Sequence, residues 1–206
     1  MNNKNFPDHQ HIAYICELFF AIFKVSIVFV DHEKKLVTKQ AFRYQQNPLV
    51  PDLQKLFQEL FPDPLLTYPV FSSTEFFENY FAIDIIQSDM HIGRIIAGPA
   101  TFTVINQATI DSFFSNFKIS PKLKSEVTKY YSHVPCIENK LWADAGRLLY
   151  FLLYQEKIEL PDLVEVGHFV KEAFSVENKL EPYLLEKRKK RNSTIPSNMN
   201  KPYCRL

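Results

Sequence analysis

The sequence predicts an α+β fold, an antiparallel sheet flanked by helices and followed by a helical C-terminal half. Three observations carry this. Apolar residues recur with a helical period at the start of the chain and again from residue 106 onward; between these stretches lie short β-branched and aromatic runs with a period of two; and strands come first and helices later, without the alternation of βαβ units. With 206 residues, 46% of them hydrophobic, the chain can fill one sizeable core. The expected division is a folded domain over residues 1–185 and a basic tail over 186–206, too poor in apolar residues to order itself.

Residues 9–24 place Ile12, Ile15, Cys16, Phe19, Phe20 and Phe23 at helical spacing, with Asp8 positioned as an N-cap after Pro7. Residues 25–31 are apolar on both alternations, as suits a strand covered on both faces, and the polar turn over 31–35 leads into Leu36-Val37-Thr38 to close a hairpin. Leu53, Leu56, Phe57 and Leu60 then mark a short amphipathic helix over 52–61, stopped by Pro62 and Pro64.

The strands resume with an edge piece over 71–73. A longer strand over 76–86 carries Phe77, Phe81, Ile83 and Ile85 on one side, and after a turn over 88–91 comes a strand over 92–97. A meander is the simplest arrangement. Helical patterns follow: Ile110, Phe113, Phe114 and Phe117 in one, Leu123, Val127, Tyr130 and Tyr131 in another, and an apolar helix over 141–154. A last helix is expected over 162–174.

Composition excludes several functions. The chain has 19 Phe and 10 Tyr but only 4 Gly, which speaks for bulky interdigitated packing and against a glycine-rich phosphate loop. Cys16, Cys136 and Cys204 are far apart, so neither a disulfide framework nor a zinc knuckle is expected. The polar N-terminus has no apolar signal core, and Lys24 and Asp31 interrupt the apolar runs well short of the roughly 20 residues that span a bilayer; a cytoplasmic protein that does not enter a membrane is expected. The net charge of +1 conceals an asymmetry. Residues 187–206 hold seven Lys and Arg and no acid, leaving 17 bases against 23 acids before them, so the body should repel a phosphate backbone and direct DNA binding by it is not expected.

Candidate chemistry is sparse. His9 and His11 stand at i, i+2 on a helix and point apart, where helical metal ligands need i, i+3 or i, i+4, and no metal site is expected. His32, His91 and His133 fall in turns and read as solvated loop histidines. Cys136, three residues after His133, invites a nucleophile reading, against which stands a small buried thiol in a docked loop beside Pro135 and Ile137. In Gly93-Arg94-Ile95-Ile96-Ala97-Gly98-Pro99, the most distinctive local pattern, Gly98 permits an unusual backbone angle and Pro99 ends ladder donation, which predicts strand punctuation. The run Lys187-Arg188-Lys189-Lys190-Arg191 reads first as a solubilising terminus and second as a non-specific electrostatic contact for an anionic partner.

The order of helix, hairpin, short helix, meander and helical second half resembles the PAS- or GAF-like fold of small-molecule sensor domains. A closer resemblance rests on residues 89–99, a GxxxxGP strand end, and on Tyr130-Tyr131-Ser132-His133-Val134-Pro135-Cys136-Ile137, a YYxxxPxI turn before the Leu-rich helix to Tyr154. Together they look like the N-terminal regulatory domain of bacterial AraC-type transcriptional regulators, over residues 10–185. That resemblance implies a sensor without catalytic residues or a cofactor, a small-molecule effector held between sheet and helices, and a homodimer. Such regulators continue into helix-turn-helix motifs, which this sequence leaves no room for, so a sensor half without its DNA reader is expected. Tyr68, Phe77, Tyr80 and Phe81 are the expected ligand contacts, with ordinary core aromatics as the competing reading. Phe19, Phe20 and Phe23 are the expected dimer contacts. Two other classes stay open: a modulator that binds a full-length regulator, and an enzyme whose site the fold assembles near His133 and Cys136.

Overall fold

The computed structural model describes residues 8–33, 35–41, 46–62, 68–117 and 119–159. All belong to the first of the two units into which the chain divides, Met1–Phe169. The expected helix over 162–174, the basic tail and Cys204 lie outside the described residues.

The architecture is α+β, built on a five-stranded antiparallel sheet. Helix α1 (His9–Phe23) begins where expected: the Asp8 carboxylate accepts the His11 N–H at 2.9 Å, satisfying one of the open donors of the first turn. It ends at Lys24, which takes a left-handed conformation and returns its N–H to the Phe20 carbonyl. Strands β1 (Ile27–Asp31) and β2 (Leu36–Gln40) form the predicted hairpin, its turn held by the Lys35 N–H on the Asp31 carboxylate at 2.8 Å. Helix α2 (Leu53–Leu60) is capped by Asp52, which accepts the N–H groups of Gln54 and Lys55.

Strands β3 (Val70–Ser73), β4 (Asn79–Gln87) and β5 (Met90–Ala100) make the expected meander, but β5 then lies beside β1, giving the order β2-β1-β5-β4-β3. The first strand of the hairpin is thereby interior to the sheet, and its Ile27 and Phe29 are buried. Two details differ from the sequence reading. Residues 74–78 form the β3–β4 turn instead of opening β4, with Phe77 at φ 61°, and Met90 and His91 belong to β5 because Ser88 and Asp89, both left-handed, complete a two-residue turn. Helices α3 (Gln107–Asn116), α4 (Lys124–Tyr131) and α5 (Asn139–Tyr154) follow, with a 3₁₀ turn (Pro121–Leu123) before α4.

Side chains alternate across the sheet. Odd-numbered positions Phe81, Ile83, Ile85 and Ile95, with Phe29 of β1, face α1 and α5. There Phe81 meets Phe19 of α1 at 5.9 Å, Phe71 of β3 at 5.2 Å and Trp142 of α5 at 4.8 Å between ring centroids. Gly146 lets α5 sit directly on Phe71, whose ring would be 2.6 Å from an added Cβ. Even-numbered positions Val28, Ile96, Ala82 and Tyr80 face α2, where Leu56, Phe57, Leu60 and Phe61 pack against them. A satellite cluster of Ile110, Phe113, Val127, Tyr130 and Tyr131 joins α3 to α4. Among the described residues no helix is long and apolar enough to cross a membrane.

Candidate functional site

The α2 face of the sheet is where the packing stops short. Helix α2 has a clean apolar side, yet Leu53, Leu56, Phe57 and Leu60 are all only half-buried, and Leu53 and Phe57 line a cavity of about 670 Å³. That volume is within the range of pockets that enclose small organic ligands. The register explains its floor: Lys39, Val28, Ile96 and Ala82 stand in one row across β2, β1, β5 and β4, and Leu36, Val30, Arg94 and Asp84 in the next. Phe57 and Phe61 form the roof and Tyr80 closes one end beside Gly98 and Pro99. His32, His91 and Arg94 stand at the other.

Gly98 is required by this shape. Its φ is +134°, which L side chains rarely adopt, and a Cβ there would come within 2.3 Å of the Tyr80 ring. Gly93 is required by the sheet itself, since a Cβ would meet the Val30 carbonyl at 2.3 Å. The Gly-Pro pair does not end the strand: β5 runs on to Ala100, opposite Asn79, because an irregularity in β4 between Asn79 and Phe81 lets the ladder continue.

Two buried carboxyls stand behind residues that line the cavity, Asp84 behind Arg94 and Glu78 beside Tyr80. Asp84 is fully buried and takes the Arg94 guanidinium in two bonds, Nε to Oδ1 at 2.7 Å and Nη2 to Oδ2 at 2.8 Å, while His91 Nε2 lies 3.0 Å from Oδ1. Arg94 Nη1 also donates to the Phe61 carbonyl at 2.9 Å, which ties the end of α2 to the sheet. Glu78, also fully buried, is held differently. The Tyr130 hydroxyl and Asn47 Nδ2 donate to its Oε1, Thr74 Oγ1 lies 3.3 Å from Oε2, and the Tyr80 hydroxyl reaches the same carboxyl. Burial pushes the Glu78 carboxyl up to about 7, and the hydrogen bonds it accepts offset only part of that. Burial, reinforced by the adjacent Glu78, raises the hydroxyls of Tyr80, Tyr130 and Tyr131. Tyr131 joins the group by accepting from Asn47 and donating to the Phe76 carbonyl at 2.8 Å.

Of the residues expected to meet a ligand, Tyr80 lines the cavity. Phe81 is on the opposite face of the sheet, in the core under α1 and α5. Phe77 is exposed at the tip of the β3–β4 turn against Phe113, and Tyr68 is exposed and stacked on Tyr150. Along α1, Phe19 is buried and Phe20 and Phe23 are half-buried, while the outward stripe is Tyr14, Leu18 and Ile22. Cys136 is exposed, though its backbone is docked by a bridge to Thr101; His133 is exposed too, with Nδ1 2.7 Å from the Lys129 carbonyl. Cys16 is buried in α1, and burial raises its thiol to about 12. Among the described residues no three His, Cys, Asp or Glu side chains are grouped to hold a metal ion.

The sequence reading did not single out Glu78, Asn47, Asp84 or the pairing of Arg94. A signal was present: Asp84 is the lone charge in Phe81-Ala82-Ile83-Asp84-Ile85-Ile86, and Arg94 the lone charge in Ile92-Gly93-Arg94-Ile95-Ile96, so two opposite charges in neighbouring apolar strands needed each other. No protein-family model matches the chain, and no curated protein is significantly similar to it.

Proposed function

We propose that this chain is a non-catalytic sensor domain, PAS- or GAF-like, of the kind found at the N-terminus of AraC-type transcriptional regulators, and that its small-molecule effector occupies the cavity beneath α2. The observation that carries the reading is the cavity itself, roofed by a helix whose apolar side is left half-buried. A helix in that state gains apolar contact when a ligand fills the space, so binding can change how α2 and its flanking loops sit on the sheet. Arg94 offers a route for the coupling, because it joins the cavity wall to the Phe61 carbonyl at the end of α2.

The domain works as a cytoplasmic homodimer in this reading. The outward stripe Tyr14, Leu18 and Ile22 of α1, together with Leu141, Leu148 and Phe151 of the adjacent α5, supports pairing through these two helices, and the same stripe favours a modulator that binds a full-length regulator as the second reading.

The test is a thermal-shift screen of the protein against a metabolite panel, with Val28→Phe as a variant that fills the cavity floor. An effector should raise the melting temperature of the wild type and leave the variant unmoved. A panel without any shift, joined to a monomer at high concentration, removes the proposal.

A further inference from the structure

We infer that the cavity beneath α2 takes an organic acid, a ligand with an apolar body and one anionic head, the head lying against Lys39 and His32. This rests on the sensor reading of the cavity and names its ligand class.

The lining is graded along the strands. From Gly98 to Arg94 the floor runs four residues of β5, roughly 13 Å at the usual rise of a strand, and over that length it changes from apolar to donor-rich. Tyr80, Pro99, Val28, Ile96 and Phe57 surround the first part; Arg94, His91 and His32 stand around the last, and Lys39, in the Val28–Ile96 row at the β2 edge, stands one row away from Arg94.

The two carboxylates nearest that end already accept hydrogen bonds. Asp84 lies behind Arg94, bonded by it twice and by His91 once, and Asp31, which also lines the cavity, accepts the Lys35 N–H at Oδ1. Donors are not committed to the same degree. The side chains of Lys39 and His32 form no hydrogen bond or ion pair among the described residues, although Lys39 stands beside Val28 on the cavity face. Arg94 and His91 are engaged by the Asp84 carboxylate, which leaves Lys39 and His32 as the donors open to an arriving carboxylate. The apolar half supplies affinity and the donor end selects for charge.

Two fluorescent probes that differ in one group test this on the intact protein. 1-Anilinonaphthalene-8-sulfonate carries an aromatic body and a single sulfonate; N-phenyl-1-naphthylamine has the same body without it. The sulfonate probe should saturate one site with an affinity about tenfold or more above that of the neutral probe. Lys39→Ala should remove most of that advantage and leave the neutral probe unchanged, and Val28→Phe should abolish binding of both. Decanoate should displace the sulfonate probe at concentrations where decan-1-ol does not. Equal affinity for the two probes, or a Lys39→Ala variant that behaves as wild type, overturns the ligand class while the cavity remains a binding site. Sulfonate binding untouched by Val28→Phe, or no saturable binding of either probe, overturns the class and the sensor reading together. Circular dichroism checks that Val28→Phe folds; should it not, Leu53→Trp at the α2 wall of the cavity takes its place with the same expected outcomes.

Discussion

Tyr80 and Phe81 are neighbours in β4 and stand on opposite faces of the same sheet, in two different environments. Phe81 is enclosed by rings from α1, β3 and α5 and is fully buried. Tyr80 is equally buried, yet beyond its ring lies a cavity that α2 only partly roofs. Two long helices of 15 and 16 residues finish the first face, and one helix of eight residues has to cover the second. The difference shows how a fold can spend one face on stability and keep the other for binding: close packing where helices are long enough to fill it, and unfilled space where a single short helix is held by its ends.

Mutations can break that contrast. The largest effect is expected from Phe81→Ala, which empties the packed face and should cost about 3–5 kcal/mol in urea unfolding. Asp84→Asn should follow at about 3 kcal/mol, because it leaves the Arg94 guanidinium in a partly buried site without its counter-charge; the same measurement checks it.

Glu78 provides a pH-dependent test between the two buried carboxyls. Its folded pKa is raised to about 7 from an ordinary value of 4.5, so the folded state holds a proton that the unfolded state gives up between those limits. The stability it supports is complete below pH 4.5 and is lost as pH rises to 7, a change of roughly 3 kcal/mol. Glu78→Gln should flatten this part of a stability-against-pH curve, and an unchanged slope would show that Glu78 is not its source. The smallest effect is expected from Phe57→Ala. This roof residue is half-buried and already faces open space, so its loss should cost about 1 kcal/mol or less. A cost equal to that of Phe81→Ala would mean that the two faces are packed alike.

Much of this was legible along the chain, and particular residues show why. Asp8 identified a helix start because a cap is a contact between residues two or three apart; Asp52, read as the first residue of a helix, proves to be the cap of α2. The alternation of Phe81, Ile83 and Ile85 identified one face of a strand. Phe77, assigned to the same alternation, falls in a turn instead: Thr74 Oγ1 lies 3.3 Å from the backbone nitrogens of both Phe76 and Glu78, and this closes the loop before the strand begins. Tyr80 and Phe81 were equivalent as aromatic residues in a sequence and became distinct only when helices covered the two faces.

Among the described residues the sequence by itself therefore determined most of the elements, their order and the cap at Asp8, since these depend on periodicity and on contacts within a few residues. Only the tertiary structure decided that β5 lies against β1, that Glu78 meets Tyr130 across 52 positions, that Asp84 pairs with Arg94, and that a space remains beneath α2. Those are pairings between distant segments, and their partners are chosen by which faces pack together, a choice made by the whole core and recorded at no single position.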